Sequence, residues 1–220
     1  MATVGIRPAR DPRRLGLWAA LIVAGYALVV AAISANATAG EVGPPETVPT
    51  PVRLAGLFLL PALVAAIGAM NRSRPMLVAA GVLSLAQSFV AFSGVTIPFV
   101  VPALLLLALG ARSDGTGSSR RAKAGGVVVV LLGFAMWVAP FTATETTCWV
   151  AETGTDGAIV YRQVPAAETL GPAGVGAGCG GGVVTVYGVA FAAVLWIGAV
   201  AVAAFASSPP PAPTGGSLRS

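Results

Sequence analysis

The sequence contains no histidine and only two cysteines among its 220 residues. Without histidine, the chain cannot form His-ligated haem or metal sites, nor a nucleophile activated by a histidine base. Charged residues are also scarce, at 10% of the chain against roughly 25% in soluble domains. Hydrophobic residues make up 56%, and the mean hydropathy is +0.85. This composition predicts a polytopic membrane protein.

Six apolar segments are long enough to cross a bilayer, because a hydrocarbon core of about 30 Å needs about 20 helical residues. None of the six contains Asp, Glu, Lys or Arg. The sequence therefore predicts an all-α membrane protein with six transmembrane helices. The predicted helices cover about 15–37, 54–70, 76–93, 95–111, 125–142 and 183–206, between a basic N-terminus at 1–14 and a disordered cytoplasmic tail at 207–220.

The stretch 76–111 has two interpretations. As a single helix its 36 residues would be roughly 54 Å long, far more than the hydrocarbon core needs. Gly94 and Pro98 interrupt it, and both residue types break regular structure. We therefore expect two helices joined by a tight turn; the alternative is one kinked helix followed by a re-entrant segment.

The distribution of basic residues predicts the orientation. With the N-terminus inside, eleven of the thirteen Lys and Arg residues fall on the cytoplasmic side, and only Arg53 and Arg162 fall outside. This pattern agrees with the positive-inside rule and indicates an N-in, C-in topology. It also explains the net charge of +5 through contact with anionic lipid, so nucleic acid is not an expected partner.

The cellular location follows from composition and from the first predicted helix. Arginine far outnumbers lysine, and Ala, Gly and Val are abundant, which is typical of a high-GC bacterium. We therefore expect a multi-pass protein of the plasma (inner) membrane. Ala35-Asn36-Ala37 resembles a signal-peptidase site, but the preceding apolar run exceeds the usual 7–15 residues. An uncleaved first helix is the preferred interpretation, and a cleaved signal peptide is the alternative.

The extracytoplasmic loop 143–182 holds both cysteines, Cys148 and Cys179. Disulfides persist on this side of the membrane, so we expect the two thiols to pair. Strand-forming residues flank a turn signal at Asp156-Gly157, which predicts a short β-hairpin clamped by the disulfide. The Gly-rich segment after this hairpin is expected to be irregular. The first outer loop, 38–53, contains four prolines and should be extended.

Polar residues inside the spans are few. Gln87, with Ser84 and Ser88 near it, is the strongest candidate for an intramembrane polar contact, and we expect its amide to bond a backbone carbonyl or serine of a neighbouring helix. Pro61 and Pro102 occur in the similar hexapeptides FLLPAL and FVVPAL. Each is expected to kink its helix at a similar depth.

Several small-residue faces could pack helices together, since close approach of small side chains drives helix association in lipid. They lie on the first, third and sixth spans: Ala20, Ala24, Ala27, Ala31 and Ala35; Ala80, Ser84 and Ser88; and Gly188, Ala192, Ala199 and Ala203.

The functional hypothesis follows from what the spans lack. They contain no charge, metal-ligand cluster or activated nucleophile, so we expect no catalytic residues, no metal and no cofactor. The leading hypothesis is a non-enzymatic accessory, scaffold or assembly partner that binds other membrane proteins through small-residue helix faces or the outer loop. The alternative is a small transporter or channel for a neutral or lipidic molecule. A third hypothesis, an enzyme at the outer leaflet, would need Glu145 or Asp156 in a pocket.

Overall fold

The computed structural model describes residues 11–38, 48–90, 97–112, 119–142, 144–153, 159–164 and 176–208. Helices dominate, and a small antiparallel sheet lies between the last two of them. In chain order the elements are α1 (Pro12–Thr38), α2 (Thr50–Met70), α3 (Arg74–Val90), α4 (Val100–Arg112), α5 (Arg120–Thr142), β1 (Thr144–Thr153), β2 (Ile159–Val164), β3 (Gly176–Val184) and α6 (Val186–Ser207).

Four of these helices, α1, α2, α5 and α6, are long and apolar enough to cross a membrane. The other two are shorter: α3 has 17 residues and α4 has 13, with a 3-10 turn at Ile97–Phe99 before α4. At 1.5 Å per residue, α4 rises about 20 Å. The structure therefore shows four full-length candidate spans, and the six predicted crossings remain a proposal.

Helices α3 and α4 are separate and pack side by side in opposite directions. Arg74, in the first turn of α3, donates to Gly110 O and Ala111 O at the end of α4, at 2.8 and 2.7 Å. Further along, Gly81 allows close contact with Leu107. Residues 91–96, with Gly94, lie outside the described residues. The described parts of 76–111 thus form two helices packed in opposite directions, as the interruption at Pro98 predicted.

Small residues bring the helices close together. A Cβ added to Gly125 of α5 would collide with Ala206 of α6, and one added to Gly133 would meet Leu83 of α3 at 2.5 Å. The predicted small-residue faces are largely used inside the chain, since the side chains of Ala27, Ala80 and Ala203 are 0% exposed. These three residues pack within the chain, whereas Ala35, at the end of the face on α1, is exposed.

Basic residues collect at one end of the bundle, which we call the basic end. It is formed by the starts of α1, α3 and α5 and the ends of α2, α4 and α6. Asn71 Nδ2 after α2 bonds Ser207 Oγ at the end of α6 (2.9 Å), and Arg74 of α3 bonds the end of α4. Gly16 of α1 lies against Ala69 of α2, and Gly125 of α5 lies against Ala206 of α6. Some of these cations cap helix C-termini. Arg121 donates to Phe205 O, and its Cζ lies 3.6 Å from the centroid of the Phe205 ring. The described basic residues here are Arg13, Arg14, Arg72, Arg74, Arg112, Arg120, Arg121 and Lys123.

The sheet lies at the opposite end, which we call the sheet end. Its strand order is β2-β1-β3, and both pairings are antiparallel. The predicted β-hairpin corresponds to β1 and β2. The expectation of irregular chain after it was wrong for 176–184, because this Gly-rich segment pairs with β1 through backbone bonds that need no side chain. The strand continues through Val184, so α6 begins at Val186, not at 183.

The loop before α2 is shorter than predicted. Residues 50–53, assigned to an extended loop, form the first turn of α2. Pro49 is the N-cap residue and Pro51 lies in the first turn, where a missing N–H removes no helical hydrogen bond. This places Arg53 on a helix.

Candidate functional site

Pro61 lies in the interior of α2 and leaves a backbone carbonyl without its helical donor. Proline has no N–H, so the carbonyl four residues earlier, Leu57 O, receives no α-helical bond from position 61. The Gln87 side chain of α3 supplies the donor: its Nε2 lies 2.8 Å from Leu57 O. The polar side chain expected to bond a neighbouring backbone thus meets α2 at its proline.

A second side chain reaches the same stretch of α2 from another helix. Trp196 of α6 donates from its indole Nε1 to Gly56 O at 3.0 Å. Consecutive carbonyls of α2 therefore accept bonds from α3 and α6, one turn before the proline. In a medium without water, a bond such as that from Gln87 to the freed carbonyl makes an interior proline tolerable. The two bonds tie three helices together at one level.

The two serines beside Gln87 have different roles. Ser88 donates from Oγ to Ser84 O within its own helix, at 3.0 Å. Ser84 is 0% exposed and Gln87 is 1% exposed. Within the described residues, neither Ser84 Oγ nor Gln87 Oε1 has a hydrogen-bond partner. The side chains of Gln87 and Ser84 are enclosed by packing, so the bond from Gln87 to Leu57 O is a contact between two helices.

The two prolines lie at similar depths, as expected, but they occupy different positions within their helices. Phe58 and Phe99, which begin the two hexapeptides, stack with ring centroids 5.1 Å apart. Pro61 lies nine residues before the end of α2 and Pro102 ten residues before the end of α4, and both helices end at the basic end. Because Pro102 is in the first turn of α4, it removes little of the helical hydrogen bonding and has no reason to kink the helix.

An apolar cleft of about 420 Å³ lies between α2, α5 and α6. Met136 of α5 is 2% exposed and lies deep in the cleft. Val52 and Ile197 are 59% and 62% exposed, so the cleft reaches the surface of the bundle. Trp196, already bonded to α2, forms part of the wall.

One charged residue lines this cleft. Arg53, in the first turn of α2, is half-buried, and its Nη2 donates to Thr50 Oγ1 at 2.8 Å. It is one of two described basic residues at the sheet end; the other, Arg162, belongs to β2. The cleft therefore has a cation near the sheet end and apolar walls on the side towards the basic end.

The disulfide joins Cys148 of β1 to Cys179 of β3, as predicted. The two residues are direct partners in the strand register. On the other side of β1, Arg162 and Glu152 form an ion pair at 3.4 Å, with both side chains more than half exposed. A pair so exposed contributes about 0–1 kcal/mol.

The two acidic residues considered for catalysis, the side chain of Glu145 and the whole of Asp156, lie outside the described residues. In the part of the chain that the structure describes, no three His, Cys, Asp or Glu residues are close enough to hold a metal ion. Glu152 pairs with Arg162 on an exposed strand.

The chain matches no protein-family model, no curated protein and no solved structure. The candidate site therefore depends on its geometry alone. Sequence reasoning identified Gln87 and Pro61 but not their connection, although the i−4 rule for proline singles out Leu57 O. It missed the cleft, because the lining residues come from three helices and share no local pattern.

Proposed function

We propose that the chain is a six-crossing protein of a bacterial plasma membrane, with its basic end in the cytoplasm and its sheet outside. The support is the charge distribution: eight of the ten described basic residues lie at the basic end, and such clusters favour the cytoplasmic side. In this proposal α3 and α4 form a short transmembrane hairpin. The disulfide fits an oxidising compartment at the sheet end.

We propose further that the protein works without catalysis, as an accessory or assembly partner that binds another protein through its outer sheet. The observation that carries this proposal is the sheet itself. Among the described residues, its strand order makes β2 and β3 edge strands, and an edge strand has backbone N–H and C=O groups on the side that faces away from its sheet. Such an edge can accept a strand from a partner.

The disulfide suits this role because it fixes β3 against the central strand. The β3 segment, Gly176–Val184, is rich in glycine, which costs backbone entropy on ordering. A covalent link at Cys148 and Cys179 limits that cost by restraining the unfolded loop. A pre-formed edge then binds a partner strand with less ordering than a flexible one.

The transporter hypothesis is the second candidate and receives less support. It would require a polar path near Gln87, Pro61 and Pro102. The structure encloses Gln87 and Ser84, and it places Pro102 in a first turn. The lipidic form of the hypothesis retains one favourable observation, the apolar cleft beside α2.

Affinity purification of the tagged protein in mild detergent tests the proposed function. We expect a defined protein to co-elute with the wild type and to be lost from a variant carrying both Cys148→Ser and Cys179→Ser. Gly25→Ala is the matched control, because a Cβ at Gly25 meets nothing within 4 Å and the sheet is untouched. A protein that purifies alone from the wild type, or a partner retained by the double variant, would contradict the proposal.

A further inference from the structure

We propose that the cleft between α2, α5 and α6 binds one acyl chain of an anionic phospholipid, with the head group held by Arg53. This proposal does not depend on the accessory role, since it concerns a different surface and no protein partner. It assigns the cleft a ligand of stated chemistry: an unbranched hydrocarbon chain ending in a phosphate-bearing head group.

The depth of the cleft fits one leaflet of a bilayer. Along α6 its lining runs from Gly188 to Ile197, nine helical steps or about 13.5 Å. This is close to half of a hydrocarbon core of about 30 Å. The cleft begins near the sheet end and ends inside the bundle, so a chain that enters from the nearer leaflet fills it without crossing the midplane.

The lining suits a hydrocarbon chain. The cleft offers about 420 Å³ between walls that carry no charged side chain other than Arg53. A hydrocarbon chain has no polar groups that would need partners there. The indole N–H of Trp196 is already bonded to Gly56 O, so the ring offers its apolar surface to the chain.

Arg53 selects the head group. Transfer of a chain from lipid into an apolar cleft gains little free energy, because both surroundings are apolar. Discrimination between lipids therefore depends on the polar end. A guanidinium has five N–H donors, so Arg53 can keep its present bonds, including that to Thr50 Oγ1, and still donate to a phosphate oxygen.

Tryptophan fluorescence can detect the chain directly, because brominated acyl chains quench an indole that they touch. The test protein carries Trp18→Phe, Trp137→Phe and Trp149→Phe, which leaves Trp196 as the only tryptophan. It is reconstituted in two lipid mixtures. One contains brominated phosphatidylglycerol in unbrominated phosphatidylcholine, and the other contains brominated phosphatidylcholine in unbrominated phosphatidylglycerol. We expect half-maximal quenching at about a tenfold lower mole fraction of the anionic lipid, because both lipids offer a phosphate to Arg53 but the choline cation of phosphatidylcholine repels the guanidinium.

Two variants test the cleft and the cation separately. Gly56→Leu should fill the cleft, because Gly56 lines it and a Cβ there meets nothing within 4 Å, and it should abolish the tenfold preference. Gly25→Leu is the matched control, since Gly25 is equally open but lies on α1. Arg53→Gln should reduce the preference to about twofold or less, whereas Arg162→Gln, in the sheet, should leave it unchanged.

Equal quenching by the two brominated lipids in the starting protein would overturn the proposal. So would a preference that survives Gly56→Leu or Arg53→Gln. If Gly56→Leu fails to fold, Ala193→Leu fills the same cleft from α6, and native mass spectrometry of the starting protein must show one retained phosphatidylglycerol. Retention of a protein segment in the cleft, detected by cross-linking from Ala193→Cys, would also refute the lipid site.

Discussion

The bond between Gln87 and the proline-interrupted helix yields a quantitative prediction. Gln87→Leu removes the donor that Leu57 O receives from α3 at 2.8 Å. Because Pro61 supplies no N–H, this carbonyl then loses its donor in a buried setting, which costs about 1–3 kcal/mol. Removal of the unpartnered Gln87 Oε1 offsets part of that cost. We therefore expect Gln87→Leu to lower the free energy of unfolding by about 1–2 kcal/mol.

The second arm of the prediction restores the helical donor. In a Pro61→Ala background, the alanine supplies a backbone N–H that can bond Leu57 O, so the carbonyl no longer depends on the glutamine. Gln87→Leu should then cost at most about 0.5 kcal/mol, the scale of an ordinary interhelical hydrogen bond in a membrane protein. The double-mutant cycle should give a coupling free energy of about 1 kcal/mol.

Reversible unfolding in mixed micelles, with denaturing detergent titrated into the folded protein, measures all four corners of the cycle. Ser84→Ala is the matched control: its hydroxyl is buried in the same helix and has no hydrogen-bond partner within the described residues, so it should show no coupling to Pro61→Ala beyond about 0.3 kcal/mol. The reasoning fails if Gln87→Leu costs the same in both backgrounds. It also fails if the substitution stabilises the protein while Pro61 is present.

Two further predictions concern the sheet and the helix seam. Reduction of the Cys148–Cys179 disulfide opens a loop with a sequence separation of 31 and should destabilise the sheet by about 3.7 kcal/mol. Trypsin added outside spheroplasts should then cleave after Arg162 faster, on the order of a hundredfold, while the helices stay inserted. Unchanged cleavage would contradict both the clamp and its outer location. In the same micelle titration, Gly125→Ala should destabilise the bundle by about 1–3 kcal/mol, because its Cβ meets Ala206. Gly25→Ala should be neutral or stabilising by up to about 1 kcal/mol, because its Cβ meets nothing. Equal effects would refute the close contact between α5 and α6.

The sequence was informative where one physical rule acts alone. Length and hydropathy located the helices, because a buried backbone in lipid must bond within its own segment. The pairing of Cys148 with Cys179 followed from there being two cysteines, both in the same loop. The proline interruption also predicted the hairpin of α3 and α4.

The sequence was misleading where a neighbour decides the outcome. A Gly-rich segment was expected to be irregular, yet β1 offers it backbone partners and it becomes β3. Pro102 resembles Pro61 in its local sequence, but the start of α4 determines what a proline does there. The cleft depends on the spacing of three helices, which no local pattern of Val, Gly or Trp encodes.

The ring closed by the disulfide also determines how tension passes along the chain. A pull that separates α5 from α6 enters β1, crosses from Cys148 to Cys179 through the sulfur atoms and leaves through the end of β3. The residues between the two cysteines lie outside that line, among them all of β2. A partner that binds β2 can therefore pull on this strand or bend it without drawing the two helices apart. A single backbone cut between the cysteines likewise leaves α5 and α6 covalently joined.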